Sequence, residues 1–116
     1  MIALSQLEAP YRAGRGRPSE GFDCSGLVHY VHGSVGIRIP RVAQEQWAAA
    51  QPVGKTERQP GDLVFFRIAE TKYHVGILVD PGRFVHAPGS GKGVRIAELD
   101  APYWAERYLG AGSFLP

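Results

Sequence analysis

The hydrophobic period of this chain changes partway along, and that change restricts its fold more than any other feature. Before Pro60 the apolar residues recur at helical spacing. After Asp62 they fall into short runs of branched and aromatic residues, each bounded by Gly, Pro or Asp. Leu27, Val28, Val31 and Val35 follow Cys24 on one helix face, with Gly36 placed to end the segment. Ile2, Leu4 and Leu7 predict the end of a short N-terminal helix closed by Pro10, because proline disfavours helix in the residue before it. A further helix is predicted after Pro40, carrying Val42, Ala43, Gln46, Trp47 and Ala50 and stopping at Gln51-Pro52. Gln59-Pro60-Gly61-Asp62 reads as a turn. Leu63 to Phe66, Val75 to Val79, Phe84-Val85 and Val94 to Ile96 then read as antiparallel strands. Helices first and strands afterwards predict an α+β domain, with a helix packed on one face of a small antiparallel sheet.

At 116 residues the chain has room for one hydrophobic core, so residues 1–116 are read as a single domain. Hydrophobic residues make up 44% against 21% charged, enough apolar surface to exclude a disordered chain. A net charge of +2 sets up no strong field for nucleic acid. Arg12, Arg15 and Arg17 cluster before the cysteine, where they either attract an anionic polymer or solvate a surface loop. The stretch from Met1 to Glu8 lacks the basic start and long apolar run of a signal peptide, and no later segment is long and apolar enough to span a bilayer. A soluble monomer is the expectation.

Cys24 is the only cysteine, so it forms no internal disulfide and is either a small buried hydrophobe or a working thiol. In Phe22-Asp23-Cys24-Ser25-Gly26 it stands where a helix begins. There the unpaired N–H groups and the helix dipole stabilise a thiolate. Asp23 is suited to cap that helix, the nearby N–H groups to hold an oxyanion, and Gly26 to let a substrate approach. The pentapeptide alone fits equally well a capped helix that begins with a buried cysteine.

His74 opens the run Tyr73-His74-Val75-Gly76-Ile77-Leu78-Val79, and strand alternation puts it on one face with Gly76 and Leu78. Gly76 is read as space for a helix. A three-residue loop Asp80-Pro81-Gly82, with Gly82 left-handed, pairs Val79 with Arg83 and Gly76 with His86. His74 and His86 then become diagonal neighbours on one face, about 7–8 Å apart at the backbone, so their rings can meet. A four-residue loop would separate them. Each histidine alone is an ordinary structural residue, but together with Cys24 they supply a nucleophile, a base and an orienting group.

His29 and His32 are three apart and suggest zinc together with Cys24. Both fall beside or outside the apolar stripe, however, and no second cysteine or acidic pair completes four ligands, so no metal is expected. Arg41 is either a two-pronged carboxylate binder or a first-turn residue of the second helix. Trp47, Tyr103 and Trp104 either line a groove or fill the core.

Several blocks resemble the NlpC/P60 family of cell-wall cysteine peptidases, within the papain-like superfamily, from about Leu4 to about Tyr108. They are Pro10-Tyr11, Gly21 to Val28, Pro40-Arg41 with Gln46, Pro60 to Phe66, His74 to Ile77, and His86-Ala87-Pro88. The resemblance implies a papain-like fold and hydrolysis of peptidoglycan stem peptides, typically between D-glutamate and the following diamino acid. It implies Cys24 as nucleophile, His74 as base and His86 as the group orienting that base. Tyr11 matches a tyrosine that donates a hydrogen bond to nucleophile or substrate, and Asp23 and Ser25 match positions that hold the free amino end of the stem peptide. No cofactor is implied, and the substrate lies in the cell envelope or outside the cell. Most relatives carry two glycines after the tyrosine, where this chain has Arg12-Ala13-Gly14-Arg15-Gly16, so the neighbouring substrate wall is altered. Other classes compatible with such a domain are an acyltransferase of related fold and a non-catalytic wall-binding module.

Overall fold

The computed structural model describes residues 16–17, 21–88 and 93–115, with only the backbone of 16–17 and 21–22. The predicted N-terminal helix, Tyr11, Arg12 and Arg15 lie outside the described residues. The strands β1 (Gly16–Arg17) and β2 (Gly21–Phe22) pair antiparallel and lead into helix α1 (Cys24–Gly33). Helix α2 (Ala43–Ala49) follows, then β3 (Gln51–Val53), β4 (Leu63–Ala69), β5 (Lys72–Asp80), β6 (Arg83–His86), β7 (Arg95–Glu98), helix α3 (Pro102–Arg107) and β8 (Tyr108–Ser113).

Strands β3 to β8 form one antiparallel sheet in the order β3-β8-β4-β5-β6-β7. Alternation divides its side chains between two apolar layers. On one face Leu63, Phe65, Val75, Ile77 and Val85 pack with Leu27 and Val28 of α1. On the other, Val64, Phe66, Leu78 and Phe84 pack with Leu99 and, from α3, Trp104. Complete burial of side chains such as Phe65, Ile77 and Leu27 stabilises the fold by about 1.5–3 kcal/mol each.

Helix α1 is shorter than its apolar stripe. It ends at Gly33, Gly36 turns with a φ of +81°, and the Ile37 N–H returns to the His32 carbonyl at 2.9 Å. Val35 therefore lies past the helix and is 59% exposed, while His32 takes a place on the buried face. Both findings correct the stripe read from spacing. The second helix begins at Ala43, so Arg41 precedes it.

The β5–β6 hairpin also departs from its predicted turn. Asp80 pairs with Arg83 across Pro81 and Gly82, with an irregularity between Leu78 and Asp80. Among the described glycines, positive φ occurs at Gly36, Gly61 and Gly110, so Gly82 is not left-handed. The Asp80 carboxylate closes this tighter turn by accepting from the Gly82 N–H at 3.0 Å and from Arg83 Nε at 2.7 Å. Beyond the irregularity, Leu78 pairs with Phe84 and Ile77 with Val85, which is the predicted register. Extended by one residue, it sets Gly76 against His86. A Cβ on Gly76 would stand 2.5 Å from the Phe84 ring and 3.3 Å from the His86 Cβ. The missing side chain thus makes room for the neighbouring strand, on the face away from α1.

Candidate active site

Asp23 starts α1 by accepting the Gly26 N–H on Oδ1 at 2.7 Å. Cys24 is consequently the first helical residue, and it remains partly exposed. Burial is the largest influence on its thiol and pushes the pKa up. The Val75 N–H, donating to the sulfur from β5, pulls it down; the Asp23 carboxylate raises it, and the N–H groups of Ser25 and Cys24 itself lower it. Cys24 also packs against the core cluster to which Val75, the strand residue after His74, belongs.

His74 and His86 lie on the α3 face of the sheet, both buried, with His74 Nε2 and His86 Nδ1 2.8 Å apart. Their rings meet at 90° with centroids 5.0 Å apart. Burial holds both well below the ordinary imidazole range: His74 to about 4, aided by the Lys72 charge, and His86 to about 3, aided by the charges of His74 and Arg95. At neutral pH the pair is uncharged and shares one N–H between the two nitrogens.

Trp104 covers this pair. Its indole stacks on His74 at 5.2 Å and 24° and meets His86 edge-on at 5.0 Å and 87°. Phe66, at 4.8 Å, and Phe84, at 5.4 Å, hold the indole from the sheet. Sequence reasoning left Trp104 as either a groove or a core residue and did not connect it with the histidines. Its only signal was an aromatic residue two positions after Pro102, because the strands it covers lie far away in the chain.

Arg41 reaches across the start of α1, donating from Nη1 to Ser25 Oγ at 3.0 Å and from Nη2 to Asp23 Oδ2 at 3.2 Å, and pairing with Asp23 Oδ1 at 3.1 Å. Gln46 ties α2 to the same place, donating to the carbonyls of Pro40 at 2.8 Å and Ser25 at 3.3 Å. Of the predicted residues, Asp23, Cys24, Ser25 and Arg41 thus meet at one helix start, and His74 and His86 meet on the α3 face of the sheet that this helix packs against. Tyr11 lies outside the described residues.

His29 is exposed, whereas His32 is buried and donates from Nδ1 to the Val28 carbonyl at 2.9 Å. Burial lowers its pKa, the bond to Val28 opposes this, and the charge of His29 adds to it. Its ring also stands edge-on to Phe114, so it is a packed helix residue. Among the described residues no group of three His, Cys, Asp or Glu is arranged to hold a metal. Nor, among them, is any helix long and apolar enough to cross a membrane.

A helix-start cysteine set against an antiparallel sheet that carries a bonded histidine pair defines a papain-like α+β domain. The chain belongs to the NlpC/P60 family, which matches residues 8–113. It is 43% identical over 113 residues to the murein DD-endopeptidase MepH of Escherichia coli K12, covering 93% of this chain and 42% of that protein. Identity is also 43%, over 115 residues, to the gamma-DL-glutamyl hydrolase of Bacillus subtilis 168, covering 97% and 28%. The crystal structure of an NlpC/P60 family protein from Bacillus cereus ATCC 10987 superposes with a TM-score of 0.90 at 35% identity, covering 98% and 38%. The chain spans less than half the length of each of these proteins.

Proposed function

We propose that this chain is a cysteine endopeptidase that hydrolyses peptidoglycan stem peptides at the bond between D-glutamate and the following diamino acid. The observation that carries the reading is the 2.8 Å bond between His74 Nε2 and His86 Nδ1, on the strand whose next residue, Val75, belongs to the core cluster that Cys24 packs against. If His74 donates Nε2–H to His86, its Nδ1 is left as a free base. The Cys24 proton moves to that nitrogen, and the thiolate attacks the peptide carbonyl. The N–H of Cys24, with Tyr11, holds the oxyanion. Collapse expels the amine, which takes the proton from His74, and water then hydrolyses the thioester with His74 again as base.

Asp23, Ser25 and Arg41 form the binding side of this scheme. Arg41 neutralises part of the Asp23 charge and fixes the Ser25 hydroxyl, leaving Asp23 oriented toward the amino end of the peptide. The reading requires no cofactor and treats residues 1–116 as one monomeric domain acting in the cell envelope or outside the cell. A second bond is favoured by the likeness to a murein DD-endopeptidase, namely the D,D cross-link between stem peptides. Mass spectrometry of muropeptides before and after digestion separates the two. New free amino groups on the diamino acid, with D-glutamate left C-terminal, support the γ-D-glutamyl bond. Loss of cross-linked dimers alone supports the D,D bond, and an unchanged muropeptide profile overturns the peptidase reading.

Trp104 acts here as a positioning residue, since it fixes the ring of His74 and shields its bond to His86 from water. Trp104→Ala is expected to lower kcat by about 10- to 100-fold with a smaller change in KM. Hydration of the pair also relieves the burial that depresses His74, so the acid limb of kcat/KM should move up toward pH 6.5. Trp104→Phe should restore most of both. A loss confined to KM would rule out this role.

A further inference from the structure

The start of α2 and the turn joining β4 to β5 enclose an open groove of about 270 Å³, lined by Val42, Ala43, Gln44, Thr71, Lys72 and Tyr73. Its walls are neighbours in the chain of two candidate site residues, Arg41 and His74. Arg41, the residue before Val42, bonds to Asp23 and Ser25 on either side of Cys24. Lys72 stands two residues before His74 on β5 and lines the groove where the β4–β5 turn enters that strand. The Lys72 ammonium is near enough to oppose protonation of the His74 ring.

None of the six lining residues is acidic. The Lys72 side chain is exposed and has no hydrogen-bond or ion-pair partner among the described residues. Val42, Ala43 and Tyr73 contribute apolar surface, while Gln44 and Thr71 add an amide and a hydroxyl able to donate. A cation beside apolar walls attracts an anion more strongly than one in open water, because part of the surroundings cannot screen the charge.

We propose that this groove is a subsite for a carboxylate of the peptide substrate, with Lys72 as its cationic contact. The inference rests on the peptidase reading, in which every substrate carries carboxylates close to the cleaved bond. A carboxylate held by Lys72 fixes the peptide between the start of α2 and the β4–β5 turn. It also makes the enzyme distinguish acidic stem peptides from those in which the same carboxylates are amidated.

The test measures binding separately from cleavage. Calorimetry on the Cys24→Ala protein would compare a γ-D-glutamyl-L-lysine peptide with free carboxylates against the same peptide carrying carboxamides. The free acid is expected to bind about five- to tenfold tighter, a preference that shrinks as salt is raised. Adding Lys72→Gln should bring the ratio near one, and Lys72→Arg should keep most of it. A ratio unchanged by Lys72→Gln, a ratio of one already in the Cys24→Ala protein, or no binding of either peptide overturns the proposal. Lys72-dependent binding that is never followed by cleavage in the native chain leaves the subsite standing and overturns the peptidase reading instead.

Discussion

Cys24→Ala is expected to reduce hydrolysis of stem peptides by at least about 10⁴-fold while the domain stays folded. In the proposed scheme the Cys24 thiol forms the acyl-enzyme, and the sequence holds no other cysteine to replace it. Alanine keeps the helix start, since Asp23 still accepts the Gly26 N–H, and the substitution removes one atom from a residue that is only partly buried. The expected change in unfolding free energy is therefore under about 1 kcal/mol. Product release followed by chromatography, with urea unfolding of the same sample, checks both halves. His74→Ala should cost about 10³-fold, and His86→Ala less, because the second ring only orients the first. The His74 variant should also take up iodoacetamide at Cys24 more slowly at neutral pH, as the thiol loses the base that activates it. Continued fragment release by Cys24→Ala would refute the scheme, and equal labelling rates would remove His74 from it.

The second large effect is on stability in acid. Unfolded histidines take up a proton near pH 6.5, whereas burial holds His74 to about 4 and His86 lower still in the folded chain. Between those values the unfolded state binds more protons, so stability rises with pH, is fully present above about 6.5 and falls as the pH drops toward 4. For His74 the gap between 6.5 and about 4 amounts to about 3 kcal/mol, at about 1.36 kcal/mol for each pH unit. That is a large share of the stability of a domain this size, typically about 5–15 kcal/mol. Urea midpoints measured at pH 7 and pH 4 should differ accordingly, and His74→Gln, which does not titrate, should narrow the difference. Equal slopes for native and variant protein across this range would show that His74 is not buried in its neutral form.

Much of this fold follows from local rules. The capped start of α1 was legible in Asp23-Cys24-Ser25-Gly26, and β4 to β6 in alternating branched and aromatic residues. The strands β3 and β8 were not. Tyr108 to Ser113 falls outside the runs read as strands, yet it is one, and a Cβ on Gly112 would lie 2.7 Å from the Ala50 Cβ. This strand owes its weak hydrophobic pattern to the close approach of its neighbours, which a period count does not register. Val35 failed in the opposite way, since its spacing continued a helix that the turn at Gly36 had already ended.

For the candidate site, the sequence by itself determined the local settings of the proposed groups: one cysteine at a helix start, and two histidines on strands whose alternation gives them a common face. These depend on neighbours a few residues away, which is the range over which capping and strand period act. The tertiary structure alone decided the 2.8 Å bond between the rings, the indole laid over them, the join of Arg41 to Asp23 and Ser25, and the groove beside Lys72. The hairpin makes the point most clearly. Its turn proved shorter than the spacing implied, and the irregularity after Leu78 restored the register that pairs the histidines. Such compensation depends on packing between whole strands, and no local pattern records it.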